Sequence, residues 1–278
     1  MTVLTMTFLI FLCSFAAGLL GSLTGLGGGV IIVPVLALLF GVNIRYAVGA
    51  SLVSVIATSS GAAAAYVREG YSNIRIGMFL EMATTVGAVS GALLAAHVSP
   101  SAIAIIFGVM LFASAYLSSR PQPEHFPPAK ENFLAERFKM KGEYPTLKGP
   151  QAYEARAIPL GLGVSYLAGI MSGLLGIGGG AVKVLAMDQV MRIPFKVSTA
   201  TSNFMIGVTA AASAGIYLRR GYIEPGLAMP VMLGVLAGSM LGSRIMPGAA
   251  TRVLRWLFSG VVLVLAAEMI YKGVTGRI

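Results

Sequence analysis

Gly25-Leu26-Gly27-Gly28-Gly29 returns as Gly176-Ile177-Gly178-Gly179-Gly180, 151 positions later, and each copy stands between long apolar runs. Sliding the chain on itself by that interval needs no gap from Ala17 to Phe107. Gly18 falls on Gly169, Ser51 on Ser202, and Tyr66 and Arg68 on Tyr217 and Arg219. Gly70-Tyr71 falls on Gly221-Tyr222, and Gly87 and Gly91 fall on Gly238 and Gly242. Glycines and loop residues kept in register over that length point to a duplicated unit. The predicted organisation is a first membrane repeat over 1–119, a polar linker over 120–157 and a second membrane repeat over 158–278.

Apolar residues make up 56% of the 278 and charged residues only 11%. A soluble domain carries about 25% charged residues, so this chain has too little polar surface to cover itself in water. Runs of about 20 apolar residues suffice to cross a bilayer as helix. Eight such runs are read, at roughly 3–22, 46–67, 74–96, 101–119, 158–174, 197–218, 226–247 and 253–271. Two shorter apolar pieces, 30–41 and 181–191, follow the glycine stretches. The expected class is an all-α membrane protein, a polytopic helical bundle of two homologous repeats. Each repeat has four or five membrane segments and a glycine-broken short helix.

The net charge of +10 comes from Lys and Arg in the loops between apolar runs, as in the positive-inside pattern. No basic helix face interleaved with aromatics accompanies it, which argues against nucleic acid as a partner. Cys13 is the lone cysteine, so no disulfide forms within the chain, and in an apolar run it reads as a small buried hydrophobe. Residues 1–17 place no Lys or Arg ahead of the apolar run and offer no clear cleavage site, so the first segment is expected to stay in the mature protein. Between the repeats, Pro121-Gln122-Pro123 and Pro127-Pro128 exclude helix. Lys130 to Lys141 sets Phe133, Leu134 and Phe138 on one side, as a short amphipathic helix on the membrane surface or a solvated linker would. Its basic residues place this segment in the cytoplasm, with the chain in the inner membrane.

The number of crossings decides how the repeats are related. Eleven helical residues, 30–40, span about 16 Å, against a hydrocarbon core of about 30 Å. If an extended Ser22 to Gly29 reaches the midplane before that helix completes the passage, each repeat crosses five times and the halves are inverted. If the short piece turns back, each repeat crosses four times and the halves are parallel. The linker side carries the excess of Lys and Arg in both cases. Broken helices in inverted halves are a common way for transporters to build a site, and the reading leans that way.

Glycine leaves peptide N–H groups uncovered, and bare backbone in hydrocarbon is costly unless it lines a cavity or is covered by protein. Gly27, Gly28 and Gly29, and Gly178, Gly179 and Gly180, each open a short helix, where unpaired N–H groups and the helix dipole attract anions. Two such ends facing one another would hold an oxyanion; the plainer alternative is close helix packing. Lys183, where the first repeat has Ile32, is an intramembrane cation in the first turn of the second short helix. It suits either an anion or a structural pair with Asp188, and Asp188 has Arg192 one turn on as a further partner. Glu81, where the second repeat has Met232, could take up and release a coupling proton, or be held by hydroxyls such as Thr84, Thr85 or Ser51. Ser51, Ser202 and Asn203 follow the short helices at matched positions and suit oxyanion contacts or helix–helix hydrogen bonds. Glu268 stands one turn from Lys272. His97 and His125 have no metal-ligand partner at useful spacing, and no catalytic motif such as HExxH or GxSxG occurs. No enzyme activity, cofactor or metal is expected, and self-association is left open.

These features resemble the TauE/SafE family of anion permeases, the sulfite exporters, over nearly the whole chain outside the linker. The resemblance rests on Gly25-Leu-Gly-Gly-Gly-Val-Ile-Ile-Val-Pro34 followed by Arg45-Tyr-Ala-Val-Gly-Ala-Ser51. The second copy is Gly176-Ile-Gly-Gly-Gly-Ala-Val-Lys-Val184 followed by Lys196-Val-Ser-Thr-Ala-Thr-Ser-Asn203. Leu185 departs from the pattern, where the family usually has proline, so the second short helix is expected to differ in course. The resemblance implies transport of small sulfur-containing anions such as sulfite, thiosulfate or organosulfonates. A passive anion channel is the alternative, and a sensor or scaffold built on the linker a third.

Overall fold

The computed structural model of the chain describes residues 3–24, 27–119, 136–138, 140–146, 149–245 and 251–276. Helices occupy all eight predicted long runs. They are α1 (Val3–Thr24), α3 (Ile44–Arg68), α4 (Ile74–Leu94), α5 (Pro100–Ser119), α6 (Ile158–Leu175), α8 (Phe195–Arg219), α9 (Pro225–Ile245) and α10 (Thr251–Thr275). Among the described residues, α1, α3, α4, α6 and α9 are long and apolar enough to cross a membrane. Exposed Phe8, Leu12, Phe112, Tyr116, Trp256 and Val264 present the apolar exterior that lipid requires. The chain is an all-α polytopic membrane protein.

The two short helices are α2 (Gly29–Leu38) and α7 (Gly180–Leu185). Pro34 lies inside α2. The second piece has Leu185 at the matching place, keeps its N–H, and widens into a π-helical turn over Ala186–Val190. There Met191 N donates to Ala186 O at 2.9 Å, five residues back as in a π-bulge.

Elements fall at matching places along the chain. α3 and α8 each have 25 residues and α4 and α9 each have 21, with starts separated by the interval between the glycine stretches. Packing obeys the same shift. A methyl group at Gly234, Gly238 or Gly242 would meet the carbonyls of Phe11, Phe15 and Leu19 at 2.5, 2.0 and 2.7 Å. The contact points climb together, so α1 and α9 run in the same direction. On the other side, a methyl at Gly87 or Gly91 would meet the carbonyls of Tyr166 and Ile170 at 2.3 and 2.1 Å, and α4 runs parallel to α6. Backbones approach this closely only where side chains are small.

α3 also follows α9 in the same sense, with Gly49 against the Tyr222 carbonyl and Gly61 against Ser239 Oγ. Tight turns at 69–73 and 220–224 reverse the chain, so α4, α6 and α8 run opposite to α1, α3 and α9. Since α1 and α3 point the same way, the chain between them travels back, and α2 covers part of that return. Ten helical residues rise about 15 Å, which is half of a hydrocarbon core of about 30 Å. Lys272 Nζ holds the far end of α2 through the Leu38 carbonyl at 3.2 Å. This is the five-crossing path. One detail differs from the sequence reading: α1 stays helical to Thr24, so the non-helical return is shorter than Ser22 to Gly29.

The linker departs further from expectation. Residues 120–135, 139 and 147–148, including most of the predicted amphipathic helix and His125, lie outside the described residues. Glu136–Phe138 are a helical turn, but Lys141 opens a strand: β1 (Lys141–Thr146) pairs antiparallel with β2 (Gly149–Glu154). Gly142 and Pro145 disfavour continued helix, and Gly149 takes the positive φ of 110° at the turn. The hairpin docks on the bundle. Met140, Tyr144 and Ala155 are buried together with Ile76, Leu80, Met187, Met191 and Met205. Asn73 Nδ2 donates to Tyr153 Oη at 2.8 Å, and burial pushes the Tyr153 phenol up, so it stays neutral. Arg156 N donates to Met191 O at 2.9 Å.

Candidate functional site

Both glycine turns lie at the centre of the bundle, where α3 and α8 cross. Gly27 has φ of 75°, and Gly178 and Gly179 have φ of 68° and 69°, the left-handed region that side-chain-bearing residues avoid. Gly28 and Gly179 stand at the N-caps of α2 and α7 without any side-chain capping bond. The first turns of those helices therefore carry N–H groups with no intrahelical acceptor.

The turns meet one another, as the sequence reading supposes. A methyl at Gly29 would lie 2.5 Å from Ser51 Oγ and 3.2 Å from the Gly176 carbonyl, and one at Gly27 would lie 3.8 Å from the Ile177 carbonyl. Ser51 Oγ donates to Gly176 O at 2.7 Å, tying α3 to the opposite turn. Ser202 Oγ donates to Gly180 O at 3.4 Å. Asn203 Nδ2 donates to Ser22 O and Thr199 O at 3.1 and 3.2 Å, and its buried Oδ1 has no hydrogen-bond partner among the described residues.

The amides are not bare, contrary to the expectation of uncovered N–H groups. Gly27, Gly28, Gly29, Gly178, Gly179 and Gly180 are all buried. A methyl at Gly178 would come within 2.5 Å of Val55 Cγ1 and 3.0 Å of Ile206 Cβ, and one at Gly27 within 2.9 Å of Ile206 Cδ1. Val55 and Ile206 occupy matching positions of the two halves, and Val235 Cγ1 covers Gly28. Backbone at this depth has to be covered by something, and in this closed conformation apolar side chains do it.

Lys183 lies one turn into α7, with 1% of its surface exposed. Its partner is neither Asp188 nor the membrane surface. Nζ meets Glu81 Oε2 of α4 at 3.1 Å, and Glu81 is only 4% exposed. The Thr209 hydroxyl of α8 lies between them, accepting from Lys183 and donating to Glu81 Oε1. Thr85 Oγ1 adds a hydrogen bond to the same oxygen at 3.3 Å. Of the hydroxyls expected around Glu81, Thr85 reaches the carboxylate. Thr84 Oγ1 turns to the Glu81 backbone carbonyl, and Ser51 serves Gly176. Removing one member of a buried ion pair costs about 3–5 kcal/mol, because it strands the other charge; here both carboxylate oxygens are engaged, and Lys183 Nζ has two acceptors, Glu81 and Thr209. The hairpin cluster closes the linker side, since Ile76 and Leu80 precede Glu81 on α4 and Met205 stands one turn before Thr209.

Sequence reading weighed Lys183 and Glu81 separately. A shared signal was present: both break the correspondence between the halves, standing against Ile32 and Met232. Thr209 was missed because its counterpart, Thr58, is also threonine. Ser172 was missed as well; its hydroxyl is buried and unpartnered among the described residues, beside Gly179, and its counterpart is Gly21. Elsewhere the predicted Glu268–Lys272 pair forms at 3.9 Å. Among the described residues no three His, Cys, Asp or Glu side chains gather as metal ligands would.

Residues 10–269 match the sulfite exporter TauE/SafE family. The chain is 27% identical over 266 residues to the probable membrane transporter protein YunE of Bacillus subtilis, covering 93% of this chain and 95% of that one. It is also 27% identical to the probable membrane transporter protein YdhB of the same organism, over 85% and 89% of the two chains. The probable membrane transporter protein MJ0441 of Methanocaldococcus jannaschii is 24% identical, over 94% of each chain. No solved structure matches. With the match extending from the first long helix into the last, and with no enzyme among these relatives, the chain belongs to the TauE/SafE sulfite exporter family of membrane transporters.

Proposed function

We propose that the protein carries a small sulfur-containing oxyanion, of the class of sulfite, thiosulfate or an organosulfonate, by alternating access between two inverted homologous halves in the cell membrane. The linker and its hairpin face the cytoplasm. The meeting of the two glycine turns, with a buried lysine one turn from the second, carries the reading. Gly27–Gly29 and Gly178–Gly180 bind the anion through N–H groups once Val55 and Ile206 withdraw, and Ser51, Ser202 and Asn203 line the opened space. Lys183 supplies positive charge, and Glu81 exchanges a coupling proton with the open side. Antiparallel α1 and α6, each starting its own half, support inverted halves; such halves exchange access by rocking about a shared midplane site. The closed packing fits a carrier that passes through a sealed state, whereas a passive channel keeps a continuous path.

Proteoliposomes bearing the purified protein provide the test. Sulfite, thiosulfate or an organosulfonate is expected to accumulate against its gradient when a pH difference is imposed. Flux that only equilibrates the anion, whatever the pH difference, points to a channel. No flux of any of these anions removes the reading.

A further inference from the structure

The charges around Lys183 limit what the site can carry. Glu81 and Lys183 are both buried, and Lys183 is the one buried Lys or Arg among the described residues. Together with Thr209 and Thr85 they form a closed set of zero net charge. Resting on the transport reading above, we propose that this set keeps its net charge through the cycle, so that the cargo is a singly charged oxyanion and each one crosses with one proton. An anion that takes Lys183 while Glu81 stays ionised leaves an uncompensated negative charge deep in hydrocarbon, which is expensive. A proton from water on the open side, placed on Glu81 Oε1 beside Thr209, removes that charge and ends the ion pair with Lys183. Lys183 then turns its N–H donors to the anion. Thr209 and Thr85 hold the neutral acid, whose new O–H needs an acceptor that Thr209 can provide. On the far side the anion leaves, the proton departs to water and the pair closes again.

A dianion would need a second buried proton acceptor at the same place, and the neighbours do not offer one. On α4 itself the other charge is Arg75, at the linker-side end. α6 contributes no charged group to its packing against α4, and its Tyr166 is 39% exposed. α8 carries Lys196 at its linker-side start, and Tyr217 and Arg219 at the opposite end. The hairpin packs Tyr144 and Tyr153 in the cluster that holds Ile76 and Leu80 of α4. Asp188, the other buried carboxylate among the described residues, belongs to the π-helical turn and accepts from Gln189 Nε2 at 3.1 Å among its contacts; Lys183 does not bond to it. The positions that correspond to Lys183 and Glu81, one from each half, hold Ile32 and Met232.

The experiment compares methanesulfonate, a fixed monoanion, with sulfate, a dianion at neutral pH, in proteoliposomes that contain a pH-sensitive dye. An inward methanesulfonate gradient, with no other gradient imposed, is expected to acidify the lumen by one proton per anion. Solid-supported-membrane recordings should show no transport current. Sulfate should move at least about tenfold more slowly, the exclusion that an unbalanced buried charge imposes. Glu81→Gln should abolish the acidification, and Asp188→Asn should keep both flux and acidification. Methanesulfonate flux that carries current and leaves luminal pH unchanged overturns the inference, as does a preference for sulfate. Either result leaves transport itself standing. Absence of flux for methanesulfonate, sulfate, sulfite and thiosulfate alike overturns the transport reading on which this rests. The wild-type recordings decide the matter even if a variant fails to fold.

Discussion

Ile32, Met232 and Thr58 stand at the positions that match Lys183, Glu81 and Thr209 across the two glycine turns. Both halves break a helix at a buried glycine turn steadied by a tyrosine, although Gly28 keeps φ of −59° where Gly179 has 69°. Tyr66 Oη donates to Ser22 O at 2.9 Å and Tyr217 Oη to Gly173 O at 3.1 Å. Electrostatics separate them. In one half the Thr58 hydroxyl folds back on its own helix to Ser54 O at 2.9 Å, while in the other Thr209 joins two charges. Shared geometry is what the proposed exchange of roles in opening and closing requires, and the difference gives the proposed site a charged end. A fully symmetrical pair of lysines would bring two cations together in hydrocarbon, and a fully symmetrical apolar pair would leave only dipoles to hold an anion.

Moving charge between the halves should give the largest effects. Lys183→Met is expected to abolish anion binding, with Glu81 taking up a proton to escape the cost of about 3–5 kcal/mol that a lone buried carboxylate carries. Titration of the purified variant with sulfite reads this directly, and unchanged affinity removes Lys183 from the site. Next in size, Ile32→Lys alone should destabilise by about 3 kcal/mol, the cost of a lysine at the centre of a membrane helix. Adding Met232→Glu should recover much of that loss, by thermal melting in detergent. A double variant as unstable as the single one would mean that the halves are less alike than their backbones.

The glycines give smaller and graded effects. Gly29→Ala pushes a methyl against Ser51 Oγ and Val55, an overpacking of about 1–3 kcal/mol. Gly178→Ala meets Val55 as closely and also holds a positive φ, adding about 1–2 kcal/mol. The melting temperature should fall further for Gly178→Ala, and the reverse order would contradict the turn geometry. Smallest are Tyr66→Phe and Tyr217→Phe, each losing a hydrogen bond worth about 1 kcal/mol. Tyr66→Phe should be the milder, because Ser22 O keeps the bond from Asn203 Nδ2. Equal losses would show that Asn203 adds nothing there.

Much of the architecture is legible in the residues because the bilayer leaves few choices. Apolar runs of the right length must be helix, and two glycine stretches in register must be two breaks. The five-crossing path was undecided in sequence, since loop charges favoured the linker side under either count. What favours it is helix direction, carried by Gly49, Gly61, Gly234 and Gly238 against backbones far away in the chain. The Lys183–Glu81 pair was illegible for a related reason: its members are 102 residues apart, and local spacing offered Asp188 instead. The hairpin at Lys141–Glu154 lacked the alternation of apolar and polar residues that marks a strand; its register rests on docking and on Gly149. Covered amides at the glycine turns could not be foreseen either, because Val55 and Ile206 come from helices whose crossing no local pattern records.

The glycine-lined contacts of α1 with α9, and of α6 with α4, have a consequence for anyone who cuts the molecule. Each opening helix is lodged in the opposite half, so a fragment ending in the linker lacks the surface that would receive its own α1, and its α4 faces lipid with a row of naked carbonyl-sized notches. Produced alone, such a fragment should be degraded; co-produced with the remainder, the two pieces should find each other and restore the flux of the proposed anion. The smallest unit of inheritance for this fold is therefore a pair of halves, whether encoded in one gene or in two.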